Sequence, residues 1–93
     1  MALEHAQFAN PELYVLYLQG ALVGQLAIPV SEQRRCVRLL DMLEAATRPN
    51  DLDLPGNDYR VRQGHYRVTV VNGSSLTWRW RTGRPMDIDY QRG

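Results

Sequence analysis

The segment from His65 to Tyr90, HYRVTVVNGSSLTWRWRTGRPMDIDY, decides the fold of this chain. Apolar and polar residues alternate along most of it, which is the two-residue period of a half-buried strand. Asn72-Gly73 interrupts the alternation with the signature of a type I′ hairpin turn, and Thr82-Gly83 marks a second turn. The segment therefore predicts three consecutive strands that form an antiparallel meander.

The alternation also divides the side chains of this sheet between two faces, because successive residues of a strand point to opposite sides. One face is predicted to be apolar and to pack on helices; it comprises Tyr66, Val68, Val70, Leu76, Trp78, Trp80, Met86 and Ile88. The opposite face is predicted to be exposed and to gather basic side chains on one surface; it comprises Arg67, Thr69, Thr77, Arg79, Arg81, Asp87 and Asp89.

Two helices are expected before the sheet. Apolar residues recur at three- and four-residue spacings from Ser31 to Thr47, with charged residues on the other side, which is typical of an amphipathic helix. Ser31 is its predicted N-cap, and Pro49-Asn50 ends it. A shorter helix is expected over Pro11 to Leu18. Residues 1–93 are thus expected to form a single α+β domain, with two N-terminal helices packed on a small antiparallel sheet.

Length and composition agree with one small intracellular domain. The 93 residues are 44% hydrophobic, which allows one core. Cys36 is the only cysteine, so no internal disulfide can form, and a lone thiol is typical of a reducing compartment. The apolar run from Leu13 to Ile28 is shorter than the about 20 residues of a membrane span, and no Lys or Arg precedes it as in a signal peptide. The expected location is the cytoplasm, without membrane contact.

Charge is segregated along the chain, although the formal net charge is only +1. Residues 1–58 hold four Arg against eight acidic residues, whereas residues 59–93 hold seven Arg against two. All eleven Lys or Arg positions are Arg, which suits bidentate contacts with phosphate and stacking on bases. A GC-rich coding sequence would also favour Arg over Lys, but it would not segregate the charges. The basic part of the chain therefore favours nucleic acid as a ligand.

The residues present disfavour several kinds of catalytic site. His5 and His65 share no ligand spacing with each other or with Cys36, so neither a metal nor another cofactor is expected. Metal-independent RNA cleavage remains, since it needs a group that takes the 2′-hydroxyl proton, cations that hold the phosphate and a proton donor for the 5′-oxygen. The arginines would supply the cations, while His65, Tyr90 or Asp89 would handle protons. Plain nucleic-acid binding and an ordinary solvated face stay open as alternatives.

Several short motifs follow one another in a distinctive order. They are Leu39–Thr47, Asn50-Asp51-Leu52, Leu54–Asn57, Arg62-x-Gly64-x-Tyr66-x-Val68, Trp78-Arg79-Trp80 and Asp87-x-Asp89-Tyr90. Their order and spacing resemble those of the HigB-type plasmid-maintenance killer toxins of the RelE/ParE superfamily, over roughly residues 16 to 91. The resemblance implies a compact fold of helices on an antiparallel sheet and the role of toxin in a type II toxin–antitoxin pair. Such toxins are usually ribosome-dependent mRNA endonucleases, neutralised by an antitoxin with a helix-turn-helix domain encoded next door.

The chain departs from this family pattern at two expected functional positions. Gln91 stands where the family usually has a His, and Ser75 stands where it has an Arg. Two alternatives therefore stay open beside the endoribonuclease: a non-catalytic member that binds RNA or a partner protein, and a gyrase-inhibiting toxin of the ParE branch.

Two sets of candidate site residues result. The resemblance carries over Arg62, Asp89 and Tyr90, and the chemistry of the residues adds His65 and Arg79, so the catalytic candidates are Arg62, His65, Arg79, Asp89 and Tyr90. Of these, Tyr90 or His65 would move protons and Asp89 would orient them, while the arginines would hold phosphate. The RNA-binding candidates are Arg60, Arg67 and Arg81.

Overall fold

A computed structural model describes residues 2–21 and 28–92 of the chain. Within these ranges lie two α-helices, α1 (Pro11–Gln19) and α2 (Val30–Ala45), and one antiparallel sheet. The sheet has four strands, whose order in space follows the chain: β1 (Arg60–Arg62), β2 (His65–Val71), β3 (Ser74–Arg81) and β4 (Arg84–Arg92). The predicted α+β class, with two helices and an antiparallel sheet, is confirmed.

Local sequence explains how the helices begin and end. In α1 the Asn10 side chain accepts a hydrogen bond from the backbone N–H of Glu12 at 2.9 Å, and Gly20 ends the helix with a φ of 77°. The predicted N-cap at Ser31 is wrong, because α2 begins at Val30 and Pro29, two residues before Ser31, occupies the cap position. Proline fixes its own φ, here at −57°, and its carbonyl accepts a hydrogen bond from the backbone N–H of Glu32 at 2.9 Å, so the first turn forms without a side-chain cap.

The apolar run that begins at Leu13 is described only in part, since residues 22–27 lie outside the described residues. The part that is described belongs to α1, which is nine residues long. Among the described helices, none combines the length and the apolar character needed to cross a membrane.

The three hairpin turns differ in backbone geometry. Gln63-Gly64 and Thr82-Gly83 have positive φ at both residues, as a type I′ turn requires. At Asn72-Gly73 only the glycine has a positive φ, so the predicted type I′ turn at this position is wrong. A register shift between Thr69 and Val71 lies beside this turn, and such a bulge supplies local twist that type I′ geometry supplies at the other turns.

The sheet has one strand more than the three that the sequence predicts. β1 holds only three residues, all of them exposed, and Val61 is its single apolar residue, so it shows no readable alternation. The strand forms because the two-residue turn at Gln63-Gly64 brings Arg62 directly opposite His65. A basic edge strand is thereby added next to β2.

A bulge in β4 changes which residues share a face. Thr77 of β3 pairs with Asp89, whereas Arg79 pairs with Met86, and Asp87 between them has a φ of 53°. The extra residue reverses the alternation, so Met86 lies on the same face as Arg79. The prediction that Met86 belongs to the apolar face is therefore wrong.

The core lies between the helices and the face of the sheet opposite to the one that carries Arg79 and Met86. From the sheet it takes Val68, Leu76, Trp78 and Ile88, which are fully buried as predicted. From α2 it takes Cys36, Leu39, Leu40 and Leu43. Since both helices cover this one face, the other face is accessible along β1 and at His65 and Arg67 of β2, whereas on β3 Thr77 and Arg79 are half-buried and Ser75 is buried; we call it the accessible face.

Candidate nucleic-acid interface

Three candidate residues form one line across the accessible face. Arg62 of β1 pairs with His65 of β2, and His65 pairs with Arg79 of β3; we call this line the Arg62 row. Neighbouring strands lie about 4.8 Å apart, so the histidine ring has a guanidinium-bearing residue one strand away on each side. Arg62 and His65 are exposed, and Arg79 is half-buried. The imidazole of His65, a group that can transfer protons, thus lies between two permanently charged arginines.

A second line runs beside the first, two residues further along each strand. In this Arg67 row, Arg60 pairs with Arg67, Arg67 with Thr77, and Thr77 with Asp89. Two residues along a strand correspond to about 6.6 Å, which is the separation of the two rows. The row changes from two cations on β1 and β2 to a carboxylate on β4, so the positive charge of this face is concentrated towards its β1 edge.

Three arginines of this face carry charge that no acid neutralises within residues 2–21 and 28–92. Arg62, Arg67 and Arg79 form no ion pair there. A guanidinium without an acidic partner keeps its donors available for a phosphate, which it can bind through two parallel hydrogen bonds. These three side chains therefore form the positively charged part of the face.

The other two RNA-binding candidates are paired with acids. The Nε of Arg60 lies 3.2 Å from Asp58, which also accepts a hydrogen bond from the hydroxyl of Thr69. Arg81 lies 2.9 Å from Asp87 through its Nη2. Arg60 still faces Arg67 across the ladder, whereas Arg81 is held at the β3–β4 turn by the residue that forms the bulge.

An open hollow of about 440 Å³ lies at the β1–β2 hairpin. Its size falls within the range of sites that take small molecules or single nucleotides. Members of both rows contribute to its wall, which is lined by Arg60, Val61, Arg62, His65, Tyr66, Arg67 and Thr77. The hollow thus places a space of nucleotide size next to the unpaired arginines.

Asp89 lies on the same face but has local partners. Its Oδ1 accepts a hydrogen bond from the backbone N–H of Tyr90 at 2.8 Å, and its Oδ2 accepts one from the Nε2 of Gln91, also at 2.8 Å. Asp89 belongs to the Arg67 row, whereas His65 belongs to the Arg62 row two strands away. The carboxylate therefore orients the Gln91 amide in this structure, and no hydrogen bond joins it to the histidine.

Tyr90 lies on the helix-covered face, where it is 9% exposed. Its hydroxyl donates a hydrogen bond to Oε1 of Glu32 at 2.7 Å and accepts one from Nη1 of Arg92 at 3.0 Å. Burial raises the pKa of Tyr90, and the hydrogen bond to the Glu32 carboxylate raises it further. The hydroxyl is thus kept protonated, away from both rows.

Glu32 is the centre of this buried network. Besides the Tyr90 hydroxyl, its carboxylate accepts hydrogen bonds from Oγ of Ser74 at 2.5 Å and from Nη1 of Arg92 at 2.9 Å. Burial alone would raise the pKa of Glu32, but these three hydrogen bonds outweigh it and the pKa is lowered. The carboxylate stays charged and ties the start of α2 to the ends of β3 and β4.

This network is not visible in the sequence. Glu32 is recognisable there only as an acidic residue in the first turn of a helix, which is common for its favourable interaction with the helix dipole. Its partners are 42 to 60 residues away in the chain. Only the three-dimensional pairing of α2 with the sheet brings them together, so no local signal could have identified them.

Other reactive groups of the described residues do not form a site. Burial raises the pKa of the Cys36 thiol to about 12, which keeps it protonated and unreactive. Within residues 2–21 and 28–92, no three His, Cys, Asp or Glu side chains lie close enough together to hold a metal ion.

The structure thus separates the candidate residues into two rows and two isolated positions. Arg62, His65 and Arg79 form one row, Arg60 and Arg67 stand beside them with Asp89 at the far end, and Tyr90 and Arg81 lie apart. Neither models of known protein families nor a search of curated proteins gives a match to this chain.

Proposed function

We propose that the accessible face of the sheet binds single-stranded RNA, and that the protein is an endoribonuclease acting as the toxin of a type II toxin–antitoxin pair. The Arg62 row carries this proposal, because it holds one proton-transfer group between two arginines with a third unpaired arginine beside them. The order of motifs, which resembles that of the RelE/ParE toxins, supports the same activity and favours mRNA on the ribosome as the substrate.

RNA cleavage at this row would use the ribose 2′-hydroxyl as nucleophile. Neutral His65 takes the 2′-hydroxyl proton while the 2′-oxygen forms a bond to the adjacent phosphorus. The bond from phosphorus to the 5′-oxygen breaks, and the imidazolium returns its proton to that oxygen. The products are a 2′,3′-cyclic phosphate and a free 5′-hydroxyl, and the reaction consumes no further reactant.

Arg62 and Arg79 would stabilise the charge that builds up on the phosphate. Because the two residues flank His65 in the ladder, a phosphate placed over the histidine lies within reach of both guanidinium groups. Removing one such donor from a preorganised site lowers the catalytic rate by about 100- to 1,000-fold. Loss of the general base lowers it by about 100- to 10,000-fold.

Induction of the gene for this protein, without the neighbouring gene expected to encode the antitoxin, tests the proposal. We expect growth arrest and cleaved mRNA with the wild type, and relief of both with Arg62→Gln or His65→Gln. Arg38→Gln is the matched control, because Arg38 is an exposed arginine of α2 and its loss removes the same charge. Intact mRNA at confirmed expression, or equal relief by all three substitutions, would refute the activity.

A non-catalytic RNA-binding role is the second candidate function, and one observation favours it. The last strand carries no free titratable group on the accessible face, since the Asp89 carboxylate is bonded to Gln91 and the Tyr90 hydroxyl is buried with Glu32. Such a protein would bind RNA and leave it intact. A gyrase-inhibiting toxin would instead induce a DNA-damage response while mRNA stays whole.

The antitoxin and the cytoplasmic location belong to this proposal as well. A neighbouring reading frame that encodes a helix-turn-helix protein would support the pairing. An acidic segment of that partner would most directly block the site by covering residues 60–67, because three arginines lie there. Protection from hydrogen exchange in the complex would then include these residues, and protection confined to residues 31–48 would contradict direct masking.

A further inference from the structure

We infer that the accessible face holds two successive phosphates of an RNA strand, one over the Arg62 row and the next over the Arg67 row. The inference rests on the proposed RNA binding and adds a second phosphate subsite to it. That subsite consists of Arg60, Arg67 and Thr77, which are neighbours across β1, β2 and β3.

The second subsite has the donors that a phosphate requires. Arg67 is exposed and has no ion-pair partner within the described part of the chain. Arg60, directly opposite, uses its Nε for Asp58, and its two Nη groups make no hydrogen bond to any described residue. The hydroxyl of Thr77 completes a line of three donors, two of them permanently charged.

The separation of the rows fits two phosphates joined by one nucleotide. The rows are about 6.6 Å apart, a gap that a single extended ribose linkage spans. The hollow at the β1–β2 hairpin touches both rows, since Arg62 and His65 of one and Arg60, Arg67 and Thr77 of the other line it. The nucleotide between the two phosphates thus has a space of its own next to them.

Asp89 limits the path of the strand. The carboxylate stands at the β4 end of the Arg67 row, where it repels phosphate. Its hydrogen bond with Gln91 holds it at that place. The RNA backbone is therefore confined to β1, β2 and the near side of β3, and it runs along the strands from one row to the other. The ligand class is a single-stranded RNA segment with a phosphate on each side of one nucleotide.

Neutralising one phosphate at a time tests this assignment. The ligands are 2′-O-methyl trinucleotides of one sequence, either with both phosphates or with one linkage replaced by an uncharged methylphosphonate. Each is measured by displacement of a labelled 2′-O-methyl RNA from the full-length protein. With the wild type we expect either replacement to weaken binding about tenfold, as for one charge-assisted contact.

The variants then assign each phosphate to a row. Arg67→Gln should reduce the loss of affinity caused by replacing one of the two linkages, and Arg62→Gln should reduce the loss caused by replacing the other linkage. Arg38→Gln should discriminate against both methylphosphonate ligands like the wild type. If both variants reduce the loss for the same linkage, or if neither replacement weakens wild-type binding, the second subsite does not exist.

The outcomes for binding and for cleavage are separable. The 2′-O-methyl ligands have no 2′-hydroxyl and cannot be cleaved, so a protein that binds them as expected but never cuts RNA would refute the endoribonuclease and keep the two subsites. Thermal unfolding of each variant verifies that the substitution has changed the face and not the fold. Both substituted arginines are exposed, so we expect unchanged midpoints.

Discussion

Tyr90→Phe separates the two roles that Tyr90 could have. The substitution removes only the hydroxyl and keeps the ring, which is 9% exposed. Without the hydroxyl, the buried Glu32 carboxylate loses one of its three hydrogen-bond donors, at 2.7 Å. Arg92 loses one acceptor too, but its side chain is 59% exposed and water replaces that bond. The cost is thus that of one buried hydrogen bond to a charged group, about 1.5–3 kcal/mol.

For a chain of this size, each kcal/mol lowers the melting temperature by about 4–8 °C. We therefore expect a clear fall of the midpoint in thermal denaturation followed by circular dichroism at neutral pH. Cleavage, measured well below the midpoint of either protein, should stay within about twofold of the wild type, because the hydroxyl lies on the opposite face from His65.

His65→Gln provides the comparison for both measurements. Because His65 is exposed, the substitution should leave the midpoint of thermal denaturation unchanged. Because His65 is the proposed proton-transfer group, the same substitution should remove RNA cleavage. A Tyr90→Phe protein with an unchanged midpoint and a rate lowered by about 100-fold or more would refute this reasoning, since such a loss is typical of a missing proton-transfer group.

Two further predictions concern stability. The pKa of Glu32 is lowered in the folded protein, so its contribution to the free energy of unfolding is complete above the ordinary value of 4.5 and is lost as the pH falls through the lower folded-state value. Urea unfolding between about pH 7 and about pH 3 should therefore show that Glu32→Gln is less stable than the wild type at neutral pH. Below pH 4.5 the stability of the variant should depend less on pH than that of the wild type. Asn57→Ala should lower the free energy of unfolding by about 1–3 kcal/mol, because the buried Asn57 side chain donates to the carbonyl of Leu52 at 2.9 Å and accepts from Arg35 at 3.0 Å. An unchanged denaturation midpoint for Asn57→Ala, or an equal acid sensitivity for Glu32→Gln, would contradict these expectations.

Local patterns predicted the elements that have a strong local signal. The amphipathic spacing of α2 and the alternation in β2 and β3 lead directly to the observed helix and strands. The Thr82-Gly83 turn also lies where the sequence places it, since glycine supplies a positive φ at low cost. These features depend on residues that are close together in the chain.

Features that depend on pairing between strands were not predictable in the same way. A bulge leaves no reliable mark in the sequence, and the reversal at Asp87 could not be read from the alternation of Met86, Ile88 and Tyr90. The positive φ of Asp87 is one that aspartate tolerates better than most residues, but an aspartate alone does not indicate a bulge. β1 was missed because its position depends on the two-residue turn that pairs it with β2.

The candidate site shows the same division. The family resemblance made Arg62 a candidate, and chemistry made His65 and Arg79 candidates, but only the register of β1, β2 and β3 places the three in one row. For Tyr90 the alternation of β4 and the family resemblance predict different positions. The alternation places it with Ile88 on the buried face, where the structure has it, while the resemblance lists it among the catalytic residues.

Ion pairing determines where the basic excess of residues 59–93 can act. Of its seven arginines, four are paired with acids in the described residues: Arg60 with Asp58, Arg81 with Asp87, Arg84 with Glu4 and Arg92 with Glu32. The three that stay unpaired there are Arg62, Arg67 and Arg79, and all three lie on the accessible face, in adjacent rows. A count of charges along the chain therefore overestimates the number of arginines available for a phosphate, because it does not include the pairs. The arginines that remain lie in two rows, and these are the two rows to which we assign the two phosphate subsites.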